Sequence, residues 1–256
     1  YERTFETETA GVRLRAPMMA IHTVAAGGGS ILGFDGARYR VGPASAGANP
    51  GPACYRKGGP LTVTDCNVML GRLQPQFFPA VFGDNGDLPL DTEIVRQKFA
   101  ELATHIQQAT GDSRTTEQVA QGYLAIAVEK MANAIKKISV QRGYNVAEYT
   151  LCCFGGAGGQ HACAIAESLG MTQILIHPYA GVLSAYGMGL ASQTTMQEHA
   201  VEAVLTAALL PELQALAAEL EQLGKTELQN QNIPVLQIHA VQRVHLRYQG
   251  TDSALI

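Results

Sequence analysis

Tyr149-Thr-Leu-Cys-Cys-Phe154 runs into Gly155-Gly-Ala-Gly-Gly159 and then into Gln160-His-Ala-Cys-Ala-Ile-Ala-Glu-Ser-Leu-Gly170. An apolar run, a glycine-rich turn and a segment of helical period follow one another without a gap, which is the pattern of a strand–turn–helix unit. Glycines let another group reach the main chain, and the helix that follows points free N–H groups at whatever lies over the turn. Two readings satisfy this pattern. A nucleotide can lie against the backbone at Gly155, Gly156, Gly158 and Gly159, or the helix can simply pack closely on a sheet.

On the C-terminal side the periodicity predicts a strand over 173–177, a turn at Pro178-Tyr-Ala-Gly181 and a helix over 182–191. A strand over 197–205, a long amphipathic helix over 209–232 and a strand over 235–248 are predicted to follow. On the N-terminal side the longest helix is predicted over 117–142, with Val119, Tyr123, Ile126, Ala127, Lys130, Met131, Ala134, Ile135 and Ile138 largely at three- and four-residue spacing and Gly143 as terminator. A further helix spans 91–110.

Residues 1–42 read as strand-rich, with Asp35-Gly36 between apolar runs as a hairpin signal. Gly42-Pro-Ala-Ser45-Ala-Gly-Ala-Asn49-Pro-Gly51-Pro-Ala-Cys54-Tyr55 opens a loop over 42–60, too rich in proline and glycine for a helix or a central strand. A short helix ending near Gly71 follows, capped by Thr64 or Asp65. Met18, Met19 and the tyrosines read as core. The expected fold class is α/β, divided into a β-rich portion over 1–110 and an α/β portion over 111–256.

The bulk composition narrows the function. With 46% hydrophobic and 16% charged residues in 256, the chain can bury a sizeable core. Its net charge is −4 with no basic run, which argues against a nucleic-acid surface. No apolar stretch approaches the roughly 20 residues of a membrane span. Five cysteines without CxxC spacing lead to the expectation of free thiols in a reducing cytoplasm rather than a zinc site. The first residue is Tyr and the last run is apolar, from which a piece of a longer protein is expected.

Several segments together resemble the hydantoinase A/oxoprolinase family: Thr23-Val-Ala-Ala-Gly-Gly-Gly-Ser30, the Val41 to Tyr55 loop, Thr62-Val-Thr-Asp65, Phe154-Gly-Gly-Ala-Gly-Gly-Gln-His161, Gly181-Val-Leu-Ser-Ala185 and Tyr248-Gln-Gly-Thr-Asp252. Gln160-His161 and the closing Tyr-Gln-Gly-Thr-Asp look most like the ATP-hydrolysing 5-oxoprolinases. The resemblance implies an actin-like ATPase (ribonuclease H-like) lobe belonging to a larger two-lobed protein, with ATP and Mg2+ as cofactors. It implies ATP-driven opening of 5-oxoproline to glutamate, with another lobe and a B-type region as partners and a homo-oligomer in full length. The Asp-x-Gly-Gly-Thr phosphate loops of that fold do not occur in this sequence, so the chain alone is expected to be inactive. Two other readings stand beside it: a hydantoinase A or acetone-carboxylase-like subunit with another substrate, and a non-catalytic assembly lobe.

On this basis Gly155, Gly156, Gly158, Gly159 and His161 are the expected nucleotide contacts, the alternative for His161 being that its ring accepts a first-turn N–H. Gly27, Gly28, Gly29 and Ser30 form a second close-approach turn, expected to bind the substrate, which either nests a phosphate or carboxylate on its N–H groups or serves a hairpin. Ser45 and Asn49 are expected to read the substrate from the proline-rich loop, or else to stiffen it. Asp65 and Asn67 are expected to be catalytic, holding magnesium-bound water or the substrate amine, against a plain capping role. Cys54 and Cys66 lack a neighbouring base and are poor nucleophiles. Arg13, Arg15, Arg38, Arg40 and Lys57 are the cations available to a carboxylate. The metal ligands are not specified by the sequence.

Overall fold

The computed structural model describes residues 3–9, 12–19 and 21–251. Contacts divide it into two units, Tyr1–Tyr186 and Gly187–Ile256. The first holds β1 (Arg3–Thr9) and β2 (Val12–Met19), paired antiparallel with Arg3 opposite Met19 and Thr9 opposite Val12. A second hairpin pairs β3 (Ser30–Phe34) with β4 (Tyr39–Ser45). Its turn is built as the Asp35-Gly36 signal predicts. The Asp35 carboxylate accepts the Ala37 and Arg38 N–H groups at 3.1 and 2.8 Å.

β4 continues through Pro43 to Ser45, so the loop begins later than its composition suggests. Among the described residues only β3 pairs with β4, and an edge position tolerates the missing N–H of proline. α1 (Val63–Met69) starts at Thr62, not at Thr64 or Asp65. Asp65 sits at the third helical position and reaches back to the Thr62 N–H at 2.8 Å, the carboxylate half of a capping box. α2 (Thr92–Thr110) is capped by Asp91, whose side chain accepts the Ile94 N–H at 3.1 Å. α3 (Thr116–Ser139) is the spine of this unit. Its first half packs Val119, Tyr123 and Leu124 into a core with Val41, Val63, Val95 and Phe99, so elements on both sides of residue 110 share one interior. Its second half packs Val128 and Ala132 against Ile165, Ala166 and Leu169.

The central unit forms as predicted. β5 (Leu151–Cys153) and β6 (Ile174–Ile176) pair in parallel, with Leu151 opposite Ile174 and Cys153 opposite Ile176, joined by α4 (Ala162–Leu169). A 3-10 turn, Gly158–Gln160, precedes α4, which places His161 at the helix cap rather than inside its first turn. The turns after the two strands emerge at the same end of the pair, where the Gly155 N–H donates to the Ala180 carbonyl at 2.8 Å. α5 (Leu183–Leu190) spans the boundary between the units.

The second unit contains α6 (Leu210–Asn230) as predicted. The strands predicted over 197–205 and 235–248 do not form. Alternation makes a strand only where a neighbour completes its hydrogen bonds, and within these ranges only Leu246 is in a bridge. Val241, Val244 and Leu246 stay exposed, and Gln197 bonds instead to the Glu227 carboxylate at 2.8 Å. The tyrosine expectation is also corrected: Tyr123 is buried, but Tyr144, Tyr149, Tyr179, Tyr186 and Tyr248 are exposed. The side chains of Met18 and Met19, and Asp252 of the last motif, lie outside what the structure describes.

Candidate ligand cleft

Two glycine turns that are far apart in sequence meet in one cleft of about 290 Å³. One wall is Gly27 and Gly28, entering β3; the other is Phe154, Ala157 and Gly158, leaving β5. Met131 of α3 and His161 at the head of α4 also line it. Of the expected nucleotide contacts, Gly158 and His161 line the cleft, together with Ala157. Gly155, Gly156 and Gly159 face solvent outside the cleft. A Cβ added at Gly158 would stand 2.9 Å from the Cys153 sulfur, and one at Gly28 would stand 2.8 Å from Thr64 Oγ1. At Gly28 and Gly158, though not at Gly27, a side chain would therefore meet a close neighbour.

The 27–30 turn is held from behind. The Gly27 N–H donates to Ser30 Oγ and the Ser30 N–H to the Gly27 carbonyl, both at 3.0 Å. Thr64 donates its N–H and its hydroxyl to the Gly28 carbonyl at 2.9 and 3.0 Å. Ser30 is consequently buried and shapes the turn rather than facing a ligand. Ser45 lies beside Gly29, where an added Cβ would approach its Oγ to 3.0 Å. Asn49 is exposed on the proline-rich loop and is not part of the cleft wall.

Asp65, expected to be catalytic, stands in a capping geometry. It is fully buried, and its carboxylate accepts from Ala53 N–H (3.1 Å), Cys54 N–H (2.9 Å), Thr62 N–H (2.8 Å) and Thr62 Oγ1 (2.9 Å). Three of these bonds fall on Oδ2 and one on Oδ1, and the whole side chain is closed off from solvent, which is the geometry of a structural carboxylate. Asp65 instead ties the proline-rich loop to the start of α1. Asn67 is also buried, and its Nδ2 donates to Gln160 Oε1 at 2.8 Å, across 93 residues of sequence. Its Oδ1 has no partner. Gln160 is the residue that pattern reading missed as a structural partner: the motif contains it, but no local signal joins it to α1.

His161 is the most unusual side chain here. It is 4% exposed and neither ring nitrogen has a hydrogen-bond partner. The helix-capping alternative is therefore not realised. Burial, with a smaller push from the Arg72 charge, holds its pKa below the usual histidine value. The ring is neutral near pH 7. The unfolded chain takes up this proton as the pH drops through about 6.5, while the folded chain resists it, so stability falls with pH over that window. Replacing His161 by Leu removes two unpartnered polar atoms and this titration together. The stability difference between His161→Leu and the parent is expected to widen in favour of the variant from pH 7.5 to 5.5, read from denaturant midpoints; a constant difference would contradict the assignment.

Burial first, and the neighbouring Asp65 carboxylate second, push the Cys54 and Cys66 thiols up, so both stay protonated. All five cysteines are free. Arg40 is paired with Asp35 at 2.6 Å, and among the described residues no Lys or Arg lines the cleft. Among the described residues no group of three His, Cys, Asp or Glu side chains could hold a metal ion, and no helix is long and apolar enough to cross a membrane.

The class this defines is an α/β protein that gathers glycine turns into a cleft beside the carboxyl end of a parallel strand. More narrowly, the chain belongs to the Hydantoinase/oxoprolinase family, which it matches over residues 1–197. It is similar to 5-oxoprolinase 1 of Arabidopsis thaliana, 43% identical over 262 residues covering 100% of this chain and 21% of that protein. It is also similar to 5-oxoprolinase of Saccharomyces cerevisiae, 43% identical over 256 residues covering 100% of this chain and 20% of the relative. The crystal structure of ATP-dependent caprolactamase from Pseudomonas jessenii superimposes with a TM-score of 0.66 at 29% identity, covering 98% of this chain and 36% of that one. The chain spans about a fifth of the length of the 5-oxoprolinases it matches.

Proposed function

We propose that this chain is the nucleotide-facing part of an ATP-dependent hydrolase of cyclic amides, with 5-oxoproline as substrate and glutamate as product, working in a reducing cytoplasm as part of an oligomer. The single observation that carries the reading is the convergence of Gly28, Gly158 and His161 on one cleft. The names of the relatives, 5-oxoprolinase and ATP-dependent caprolactamase, support the reaction class. An actin-like ATPase lobe accounts for the parallel βαβ unit with its glycine turn. Within it, residues before 110 supply the wall at Gly27 and Gly28, and residues after it the adenosine turn.

The residues present fit one end of a nucleotide. Bare backbone at Gly28 and Gly158 admits a flat group at contact distance, and the apolar walls exclude water from it. His161 offers a neutral nitrogen that can donate or accept. When bound, ATP supplies the phosphoryl group that makes the amide carbon of a lactam electrophilic toward water. No side chain in the cleft is suited to phosphates, which this reading assigns, with their Mg2+, to another lobe. Asp65 and Asn67 act by position: one fixes the proline-rich loop, the other holds Gln160 beside His161.

The test is 5-oxoproline-dependent ATP hydrolysis by the protein with its partner regions, compared with caprolactam and hydantoin. 5-Oxoproline is expected to give the highest kcat/KM, and His161→Leu to raise KM for ATP about tenfold. Preference for hydantoin or caprolactam would point to another substrate in the same family. One observation favours the assembly-lobe reading as a second account. Leu236 is 94% exposed, and Phe77, Met188 and Val204 stand nearly as free, as expected of surfaces covered by other segments.

A further inference from the structure

We infer that a second pocket, of about 200 Å³ between α3 and α4, binds a free α-amino acid, with its carboxylate on Arg72 and its ammonium on Glu129. This pocket shares no lining residue with the glycine-turn cleft. The inference rests on the proposed reaction only for the choice of ligand, glutamate, which that reaction releases. Three observations carry it. First, Arg72, in the turn after α1, and Glu129, on α3, line the same pocket, yet among the described residues neither forms an ion pair. The Arg72 N–H donates to the Asn67 carbonyl at 2.9 Å, which fixes the backbone from which the guanidinium reaches out. Opposite charges that share a pocket without closing on each other suit a dipolar ligand. A guanidinium takes a carboxylate through two parallel N–H bonds, and a carboxylate accepts from an ammonium. Second, the floor is apolar: Leu124 and Val128 are buried there, and Ala164 completes it. Low-polarity walls strengthen a charge contact relative to open water, and they receive the methylenes of the ligand. Third, the volume lies below the roughly 300 Å³ at which sites for larger ligands begin, so the pocket admits an amino acid and not a nucleotide.

The pair of charges separates product from substrate. Opening a lactam turns an uncharged amide N–H into an ammonium. Arg72 holds the α-carboxylate that glutamate and 5-oxoproline have in common, while Glu129 answers only the charge that ring opening creates. The second carboxylate of glutamate meets donors on the same wall, the Gln121 amide and the Ser168 hydroxyl. The two helices of the pocket also build the cleft, through Met131 of α3 and Ile165 of α4, and Val128 packs in one cluster with Ile165. The Arg72 charge already acts on His161 in the cleft wall. A carboxylate resting on Arg72 offsets that charge, so the pocket is placed to report accumulated product to the cleft.

The experiment is a titration of the 15N-labelled protein with L-glutamate, 5-oxoproline and ATP, following backbone amides. Glutamate is expected to shift Gln121, Ala125, Ala164 and Ser168 saturably, and to bind about tenfold more tightly there than 5-oxoproline. Arg72 and Glu129 are exposed, so Arg72→Gln and Glu129→Gln leave the fold intact. Arg72→Gln is expected to weaken both ligands by about tenfold. Glu129→Gln is expected to weaken glutamate alone, down to the affinity of 5-oxoproline, a selective loss that a merely structural role for Glu129 would not produce. Silence of these four amides toward glutamate, equal affinity of the parent for glutamate and 5-oxoproline, or unchanged glutamate binding in both variants would each overturn the inference. If glutamate shifts these amides while ATP shifts none in the protein, the nucleotide reading fails and the amino-acid pocket stands.

Discussion

Asp65→Ala is expected to lower the stability of this protein by about 3–5 kcal/mol, because it strands several buried donors at once. The Ala53 and Cys54 N–H groups and both donors of Thr62 converge on its carboxylate, and none of these residues has access to water as a substitute. Asp65→Asn keeps the shape and one oxygen but turns an NH2 toward N–H donors, and a smaller but clear loss is expected. Denaturant midpoints at constant slope measure both. A variant Asp65→Ala that unfolds like the parent but no longer supports ATP hydrolysis would reverse the assignment and restore Asp65 as a catalytic group.

The second large effect is expected at Gly59. A Cβ there would lie 1.9 Å from the Gly51 carbonyl oxygen and 3.1 Å from that of Pro52. Both obstacles are backbone, so no side-chain rotation relieves them. The two ends of the proline-rich loop must separate, and the Gly59 carbonyl leaves Lys98 Nζ, to which it is bonded at 3.1 Å. Gly59→Ala is expected to cost about 3 kcal/mol, at the upper end of overpacking substitutions. Gly156→Ala, where a Cβ meets nothing within 4 Å, should fall within about 0.5 kcal/mol of the parent. Equal midpoints for the two variants would mean that the loop is not closed on itself as described.

These two positions show what a sequence makes legible. The Asp35-Gly36 hairpin, the α3 stripe and the β5–α4–β6 unit were readable because each is written in neighbouring residues. Turn chemistry, a 3.6-residue period and glycine after an apolar run need no distant partner. Asp65 was visible as polar and near a helix start, yet its four donors come from the loop before it as well as from its own helix cap. Nothing local separates a spent carboxylate from a free one. The Gly59 contact with Gly51 and the Asn67–Gln160 bond are meetings of backbone or amide groups across the chain, and period and composition do not encode them. The strands predicted over 197–205 and 235–248 are the converse case: alternation states a preference, a strand needs a neighbour along its length to realise it, and among the described residues only Leu246 is in a bridge. For the site, the two glycine turns were found separately and assigned to different ligands. Their meeting in one cleft, and the isolation of His161, appear only in three dimensions.

The central claim is that the Gly158 turn receives a nucleotide, and the most direct measurement is the backbone amide spectrum of the protein with and without a non-hydrolysable ATP analogue. The account expects saturable shifts at Gly158, His161 and Gly28 that are absent in Gly27→Val. A spectrum unchanged at saturating analogue, or one changed only at amides remote from the cleft, would contradict it.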